Sequence, residues 1–271
     1  MKTRIIAAAV LIPILLVVVL FAPKMFAAVI LAVLMAIGSY ELLYRTRLVQ
    51  HSRLVVYSSA MAFAVTMWSY AGAIHAWLLI AMLIYTLILF SEMMRDHVRV
   101  RIEMIALCYL AGFVVPFLIS ALIRILIMNV GRQAILIPFV VAFLSDGGAY
   151  FAGLKFGKHK LAPVVSPNKT IEGALGGLVA AVVGMLIYVI ILDLGFPRLQ
   201  VNYGMAILYG LLGSAAGVFG DLCFSIIKRQ TGIKDYGNLI PGHGGVLDRL
   251  DSMMMVAPLM EALLILAPVV M

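Results

Sequence analysis

Charged residues are scarce in this 271-residue sequence, because Asp, Glu, Lys and Arg together make up only 12% of it. Apolar residues make up 65%, against roughly 45–50% in a soluble domain, and the mean hydropathy is +1.14. A soluble fold of this length cannot bury so much apolar surface. The composition therefore excludes an ordinary soluble domain and indicates that lipid forms part of the solvent.

Cysteine is almost absent as well. Cys108 and Cys223 both lie within apolar runs, which is typical of small buried side chains rather than of a disulfide framework. Long polar stretches are also missing, since the connections between apolar runs cover at most about 12–20 residues. No separate soluble domain, internal repeat or low-complexity tract is predicted.

The sequence contains instead a series of apolar runs, each close to the roughly 20 residues that a helix needs to cross a bilayer. The first run follows Lys2 and Arg4 and exceeds the roughly 7–15 residues of a signal-peptide core, so a retained span is predicted. We predict an all-α integral membrane protein, a polytopic bundle of about nine transmembrane helices. Residues 1–132 hold about five of these spans and residues 133–271 about four. The predicted spans are 5–22, 25–44, 54–71, 74–91, 104–127, 133–153, 171–192, 203–227 and 248–270.

The basic residues are distributed unevenly between the two sides of this predicted bundle. With nine spans, sixteen of the twenty Lys and Arg residues fall on the side that holds the N-terminus. The positive-inside rule places that side in the cytoplasm. The net charge of +8 then reflects topology and attraction to anionic lipid headgroups, and nucleic acid is not expected as a partner.

Several carboxylates occupy costly positions in or beside the apolar runs. A charge at the centre of a span costs about 2.5–3.5 kcal/mol on insertion scales, so such an acid is a functional candidate. Glu41, Asp193 and Glu261 are interpreted as structural, because the first two lie near span ends and the third has no polar neighbours. The functional candidates are Asp146, Asp221, Asp248 and Asp251.

Helical spacing groups these acids with other polar side chains. Asp221, Ser225 and Lys228 recur at i, i+4 and i+7, so they share one face of the predicted eighth helix. Asp248 and Asp251 recur at i and i+3 on the predicted ninth helix. The connection between these helices is short and rich in glycine. We therefore expect the two faces to meet near the cytoplasmic boundary.

The residue types in this region suit a metal ion and phosphate groups. Facing carboxylates repel each other, and a divalent cation removes that repulsion; oxygen ligands favour Mg²⁺ over Zn²⁺. The glycines around His243 let backbone N–H groups approach an anion closely. These features predict phosphoryl or nucleotidyl transfer, the alternative being an ion-paired hairpin that only closes the bundle. The bases suited to phosphate are Lys228, Arg229, Lys234 and Arg249.

A second polar cluster, KFGKHKLAPVVSPNKTIEGALGG, covers residues 155–177. Ser166 and Thr170 can start a helix, whose N-terminus beside Lys169 would bind an anion. The alternative is the ordinary capped start of a span. His159 is interpreted as a solvated loop histidine.

The segment from Ser225 to Asp251 resembles the signature of phosphatidate cytidylyltransferases, the CDP-diacylglycerol synthases. It reads SIIKR, four further residues, and KDYGNLIPGHGGVLDRLD, and the resemblance runs through all 27 positions. SPNKTIEG (residues 166–173) is similar to the family's second block, and DGGAYFAG (residues 146–153) is similar to another. The C-terminal half thus resembles the family closely, whereas the N-terminal half does so only as a run of spans.

The resemblance implies a reaction and a set of site residues. The reaction condenses CTP with phosphatidic acid to give CDP-diacylglycerol and pyrophosphate, with Mg²⁺. Metal ligands would be Asp221 and Asp248, with Asp251 and Asp146 as further candidates. The implied catalytic residues are Asp221, Lys228, Asp248, Arg249 and Asp251. The implied substrate-binding residues are Ser166, Lys169, Glu172, Ser225, Arg229, Lys234, His243 and Gly244.

The resemblance also implies a cellular setting, which is phospholipid biosynthesis by a homodimer in the bacterial cytoplasmic membrane, with the site facing the cytoplasm. It leaves open whether one or two Mg²⁺ ions bind and whether a monovalent cation joins them. Two other functions compete. A CTP-dependent polyprenol or lipid kinase would transfer the γ-phosphoryl group, and an ion-coupled transporter would spread its acids near the bilayer midplane. The D-G-x-x-A-R spacing of CDP-alcohol phosphotransferases is absent.

Overall fold

The computed structural model describes residues 13–71, 75–238 and 244–270. Within them, seven helices are long and apolar enough to cross a membrane, which confirms the predicted all-α polytopic fold. Their bounds lie within four residues of the predicted second to eighth spans. They are α1 (Lys24–Arg45), α2 (Ser52–Ala71), α3 (His75–Arg95), α4 (Ile102–Ile127), α5 (Gly131–Phe156), α6 (Ile171–Gly195) and α7 (Tyr203–Gln230).

The first predicted span, residues 5–22, lies only partly within the described residues. Its described part is helical over residues 13–21, whereas Lys2 and Arg4 lie outside the described residues. The last predicted span divides into α8 (Leu247–Leu250) and α9 (Met253–Leu266). At 14 residues, α9 is shorter than the roughly 20 that a crossing needs.

The break between α8 and α9 corrects one prediction. Asp251 accepts a hydrogen bond from the backbone N–H of Ser252 at 2.8 Å, a local bond that competes with helical pairing. Residues 251–252 therefore form a turn instead of continuing the helix. The prediction that Asp248 and Asp251 lie on one continuous helix is wrong.

A small antiparallel hairpin, absent from the all-α prediction, precedes α6. Its strands are β1 (Lys160–Ala162) and β2 (Ser166–Thr170). The side chain of Thr170 caps α6 by accepting a hydrogen bond from the Gly173 backbone N–H at 3.1 Å. The predicted helix start is thereby confirmed at Thr170, whereas a start at Ser166 is wrong because Ser166 lies in β2. In register, Lys160 lies opposite Thr170 and Ala162 opposite Ser166.

The chain forms two compact units. The first unit joins α1–α4 to Gln230–Leu250, which includes α8, and the second joins Met128–Arg229 to α9 and the turn before it. The segment that follows α7 therefore belongs with the N-terminal helices. The division after residue 132 stays a prediction.

Buried polar contacts tie the helices together inside the first unit. The Tyr85 hydroxyl on α3 donates to the carbonyl of Cys108 on α4 at 2.9 Å and lies 2.8 Å from the Ser58 hydroxyl on α2. At the far end of α4, the Arg124 guanidinium donates to the Ser69 hydroxyl of α2 at 2.9 Å. Such bonds satisfy polar groups that neither lipid nor an apolar core can satisfy.

Small residues bring the helices of the second unit close together. A side chain at Gly148 of α5 would collide with Ala180 of α6, and one at Gly176 of α6 would collide with Ala152 of α5. Ser145 of α5 also hydrogen-bonds to Ser214 of α7, with 2.7 Å between the hydroxyl oxygens. These contacts fix the ends of α5, α6 and α7 that carry the candidate site residues.

Candidate active site

One face of α7 carries an acid, a hydroxyl and a base. The Ser225 hydroxyl donates to Asp221 Oδ1 at 3.5 Å, and the Ser225 side chain is buried. Lys228 lies one turn farther on, where its charge acts on the Asp251 carboxyl. The face that the spacing predicts is therefore present in the folded helix.

The hairpin supplies a second cation to this face. The Lys169 ammonium forms an ion pair with Asp221 Oδ2, and about a quarter of each side chain is exposed, 26% and 24%. Arg229, the residue that follows Lys228, donates from Nε to the carbonyl of Val165 at 3.0 Å. The polar cluster of residues 155–177 thus contacts α7 at Asp221 and at Arg229.

Glu172, in the first turn of α6, holds the loop that leads into the hairpin. Its oxygens accept hydrogen bonds from the backbone N–H groups of Lys158 and His159 at 3.1 and 3.2 Å. Glu172 Oε1 also lies 2.6 Å from Nδ1 of His159, whose side chain is 73% exposed. His159 is therefore solvated as predicted, but also paired. Contact of Glu172, or of half-buried Ser166 in β2, with substrate stays a prediction.

Asp251 lies beside Asp221 in the second unit. Burial, and then the negative charge of Asp221, raise the pKa of the Asp251 carboxyl to about 7, while Lys228 opposes the rise. The backbone at Asp251 packs directly on α7, because a side chain added at Gly220 would lie 2.7 Å from the Asp251 carbonyl oxygen. The helix break and a glycine together let the two carboxyls come close.

Gly220→Ala is expected to separate α9 from α7 and to disturb this pair of acids. The added methyl group meets backbone, which cannot rotate away, so we expect a loss of about 1–3 kcal/mol of stability. Thermal unfolding in detergent should show an apparent Tm lower by several degrees.

Gly195→Ala is the matched control, because a side chain at that position of α6 would meet no atom within 4 Å. Its apparent Tm should stay within about one degree of the wild-type value, since exposed glycine-to-alanine changes in helices cost little. An unchanged Tm in Gly220→Ala would contradict the close contact between the Asp251 backbone and α7.

In the first unit, Asp248 holds the signature loop, which we define as the described residues 231–238 and 244–246. Its Oδ2 accepts the backbone N–H groups of Tyr236 at 2.8 Å and of Gly245 at 2.9 Å, and its side chain is buried. Gly244 has a φ of +83°, and a side chain there would lie 2.7 Å from Asp248 Oδ2. The loop therefore needs glycine at position 244.

The predicted phosphate-binding bases of the first unit are accessible. Lys234 in the signature loop and Arg249 in α8 are both exposed. Residues 239–243 lie outside the described residues, and with them His243, for which a phosphate contact stays a prediction.

One residue that contacts the signature loop was not predicted from the sequence to do so. Glu41 of α1 is only 3% exposed, and its two oxygens accept the backbone N–H groups of Val246 and Leu247, each at 3.1 Å. An acid within an apolar span was the available signal, but its position near the span end suggested that it reached the interface. Glu41 was interpreted as structural, and in the structure it contacts the backbone of the signature loop and of α8.

The described residues fit a magnesium site that substrate completes. Asp221 and Asp251 offer two neighbouring carboxylates, and Mg²⁺ commonly takes one or two carboxylates with water and phosphate oxygens. Across residues 13–71, 75–238 and 244–270, no group of three or more His, Cys, Asp or Glu side chains could hold a metal ion. Metal binding by Asp248, or by Asp146, which is exposed on α5, stays a prediction.

The sequence of this chain is similar to those of known proteins. Residues 2–267 match the model of the cytidylyltransferase family. Among curated relatives, the phosphatidate cytidylyltransferase of Staphylococcus haemolyticus is 47% identical over 135 residues, and that of Staphylococcus aureus is 47% identical over 137. The match covers 50% of this chain, and the chain spans about half the length of each of these relatives. Since the family model extends over nearly the whole sequence, the chain belongs to the cytidylyltransferase family.

Proposed function

We propose that this chain is a phosphatidate cytidylyltransferase, which makes CDP-diacylglycerol for phospholipid biosynthesis. The observation that carries the proposal is the cluster of Asp221, Asp251, Lys169 and Lys228, in which two acids and two bases meet beside an apolar bundle. Acids suit a metal ion and bases suit phosphates, so the cluster favours chemistry on phosphate groups.

The proposed reaction requires little proton chemistry from the protein. A phosphate oxygen of phosphatidate attacks the α-phosphorus of CTP and forms a new P–O bond. The bond from that phosphorus to the bridging oxygen of the β-phosphate breaks, and pyrophosphate leaves with the electron pair. Because the nucleophile is already an anion, catalysis rests on positioning and on neutralising charge.

The second unit would hold the reacting phosphates. Lys169 pairs with Asp221 in the structure, and its ammonium can move from this carboxylate to an incoming phosphate oxygen. Lys228 and Arg229 end α7 on the same side as the hairpin, where Ser225 and Ser166 add hydroxyl groups. A Mg²⁺ ion held by Asp221 and Asp251 would neutralise negative charge on the triphosphate.

The signature loop, in the first unit, is a second proposed phosphate-binding segment. Lys234 and Arg249 are exposed bases suited to phosphate, and the Gly244 backbone can approach an anion closely because it has no side chain. We further propose that Asp248 binds metal, with one or two Mg²⁺ ions at work, and that the protein acts as a homodimer in the cytoplasmic membrane. Sixteen of the twenty Lys and Arg residues fall on the predicted side of the membrane that holds the N-terminus, which supports a site facing the cytoplasm.

Product analysis separates this proposal from the lipid kinase and the transporter. Purified protein in detergent would receive phosphatidate, CTP and MgCl₂, and mass spectrometry would follow the lipid while a coupled assay follows pyrophosphate. We expect lipid that has gained a cytidylyl group, one pyrophosphate for each such lipid, and no product with a chelator. Lipid that has gained only a phosphoryl group would overturn the proposal in favour of a kinase. Absence of any product would leave the transporter.

A further inference from the structure

A buried carboxylate of the N-terminal half holds the signature loop. Glu41 is the residue at which α1 changes from α-helical (Lys24–Tyr40) to π-helical pairing (Glu41–Arg45). Its two carboxylate oxygens each accept one backbone N–H, from Val246 and from Leu247, across 205 and 206 positions of sequence. Two successive N–H groups that would otherwise lack helical partners at the start of α8 are thereby satisfied.

The loop is shaped around this carboxylate. A side chain added at Gly237 would lie 2.2 Å from Glu41 Oε1, and one added at Gly245 would lie 2.4 Å from the same atom. The carboxylate therefore fills the space between two glycines of the loop. Any larger residue at either glycine would displace the Glu41 side chain or the loop.

Simple packing does not account for a carboxyl group at this position. Glu41 is 3% exposed within an apolar span, where a polar group is costly unless hydrogen bonds satisfy it. Asp248 contacts the same loop through Tyr236 and Gly245. The two side chains thus accept four backbone N–H groups of one short segment.

We propose that Glu41 is a positioning residue for cytidylyl transfer, which holds the signature loop in the conformation that binds CTP. The inference rests on the proposed function, because the loop matters for catalysis only if Lys234, Gly244 and Arg249 contact substrate. Glu41 itself touches the loop backbone and acts through it. Through this contact, α1 would take part in CTP binding by the signature loop of the same unit.

The test combines hydrogen exchange with kinetics on the full-length protein in detergent. Glu41→Gln keeps the size of the side chain but replaces one of the two acceptor oxygens with an NH₂ donor, so backbone amides of residues 244–250 should exchange about 10- to 100-fold faster. If CTP binding pulls the loop back into place, KM for CTP should rise about tenfold or more, while kcat at saturating CTP stays within about threefold. Partial unfolding would instead lower kcat and leave KM unchanged.

Two further variants make the result decisive. Gly237→Ala should reproduce the effect, because its methyl group displaces the carboxylate without removing it. Glu92→Gln is the matched control, since Glu92 is an equally buried acid of the first unit, 5% exposed, that pairs with Arg53 and Arg95. This control should change neither loop exchange nor KM.

Each outcome then bears on one claim. Unchanged exchange of residues 244–250 in Glu41→Gln would overturn the anchoring role of Glu41. Faster exchange with unchanged KM and kcat would overturn its role in the reaction. A wild-type protein without cytidylyl transfer would overturn the proposed function, and with it positioning for that reaction, while the exchange data would still decide whether Glu41 anchors the loop.

Discussion

Replacing Asp221 with asparagine should reduce cytidylyl transfer by about 100-fold or more. Asparagine has the same size and can still accept the Ser225 hydroxyl, but it removes the negative charge that pairs with Lys169 and acts on Asp251. Electrostatic groups preorganised at a reacting centre are commonly worth this much in rate. The measurement is the initial rate of CDP-diacylglycerol formation at saturating CTP and phosphatidate.

Asp193→Asn provides the control for Asp221→Asn. Asp193 lies in the same unit, is exposed at the end of α6 and accepts a hydrogen bond from the Tyr203 hydroxyl at 2.8 Å. Its variant should retain transfer within about threefold, because exposed hydrogen bonds contribute little. Equal rates in the two variants would show that Asp221 has no special part in the chemistry.

Substitutions of Asp248 should have the second large effect on cytidylyl transfer. Two different substitutions separate the contribution of its charge from that of its hydrogen bonds to the loop. The hydrogen bonds that Asp248 accepts from Tyr236 and Gly245 both end on Oδ2, so an asparagine oxygen can accept both and preserve these contacts with the loop. Asp248→Asn therefore tests the charge, and Asp248→Ala tests charge and loop together. If Asp248 also binds metal, as we propose, Asp248→Asn should lose about 100-fold in transfer with unchanged exchange of the loop amides.

The alanine variant sets the reference for this comparison. Asp248→Ala should lose transfer and also protection of the Tyr236 and Gly245 amides, since it leaves both buried N–H groups without their acceptor. Near wild-type activity in Asp248→Asn would mean that Asp248 acts only by holding the loop. The metal role proposed for it would then be wrong.

Helix positions were predictable because apolar run length and bilayer thickness set them. α6 illustrates this, since a capping threonine at 170 precedes a long apolar run, and both its predicted and observed start is residue 171. The break at residues 251–252 was not predictable in the same way. It depends on Asp251 bonding to its own neighbour and on packing against Gly220, which is more than thirty positions away in sequence.

Part of the candidate site could likewise be predicted from the sequence, and part could not. The grouping of Asp221 with Ser225 and Lys228 could be predicted, because their spacing places them on one face of a helix. The contact between Glu41 and the signature loop could not. It joins residues more than two hundred positions apart, and spacing along one helix says nothing about a partner on another element. An acid in an apolar span signals function or structure, but not which loop it holds.

The most direct test of the proposed activity follows the label of CTP into lipid. Wild-type protein and Asp221→Asn would be incubated in detergent with phosphatidate, Mg²⁺ and CTP labelled at either the α- or the γ-phosphate. A cytidylyltransferase with its site at Asp221 should carry only the α-label into the lipid fraction, and the Asp221→Asn variant should lose this signal. Transfer of the γ-label, or undiminished transfer of the α-label by the variant, would contradict the account.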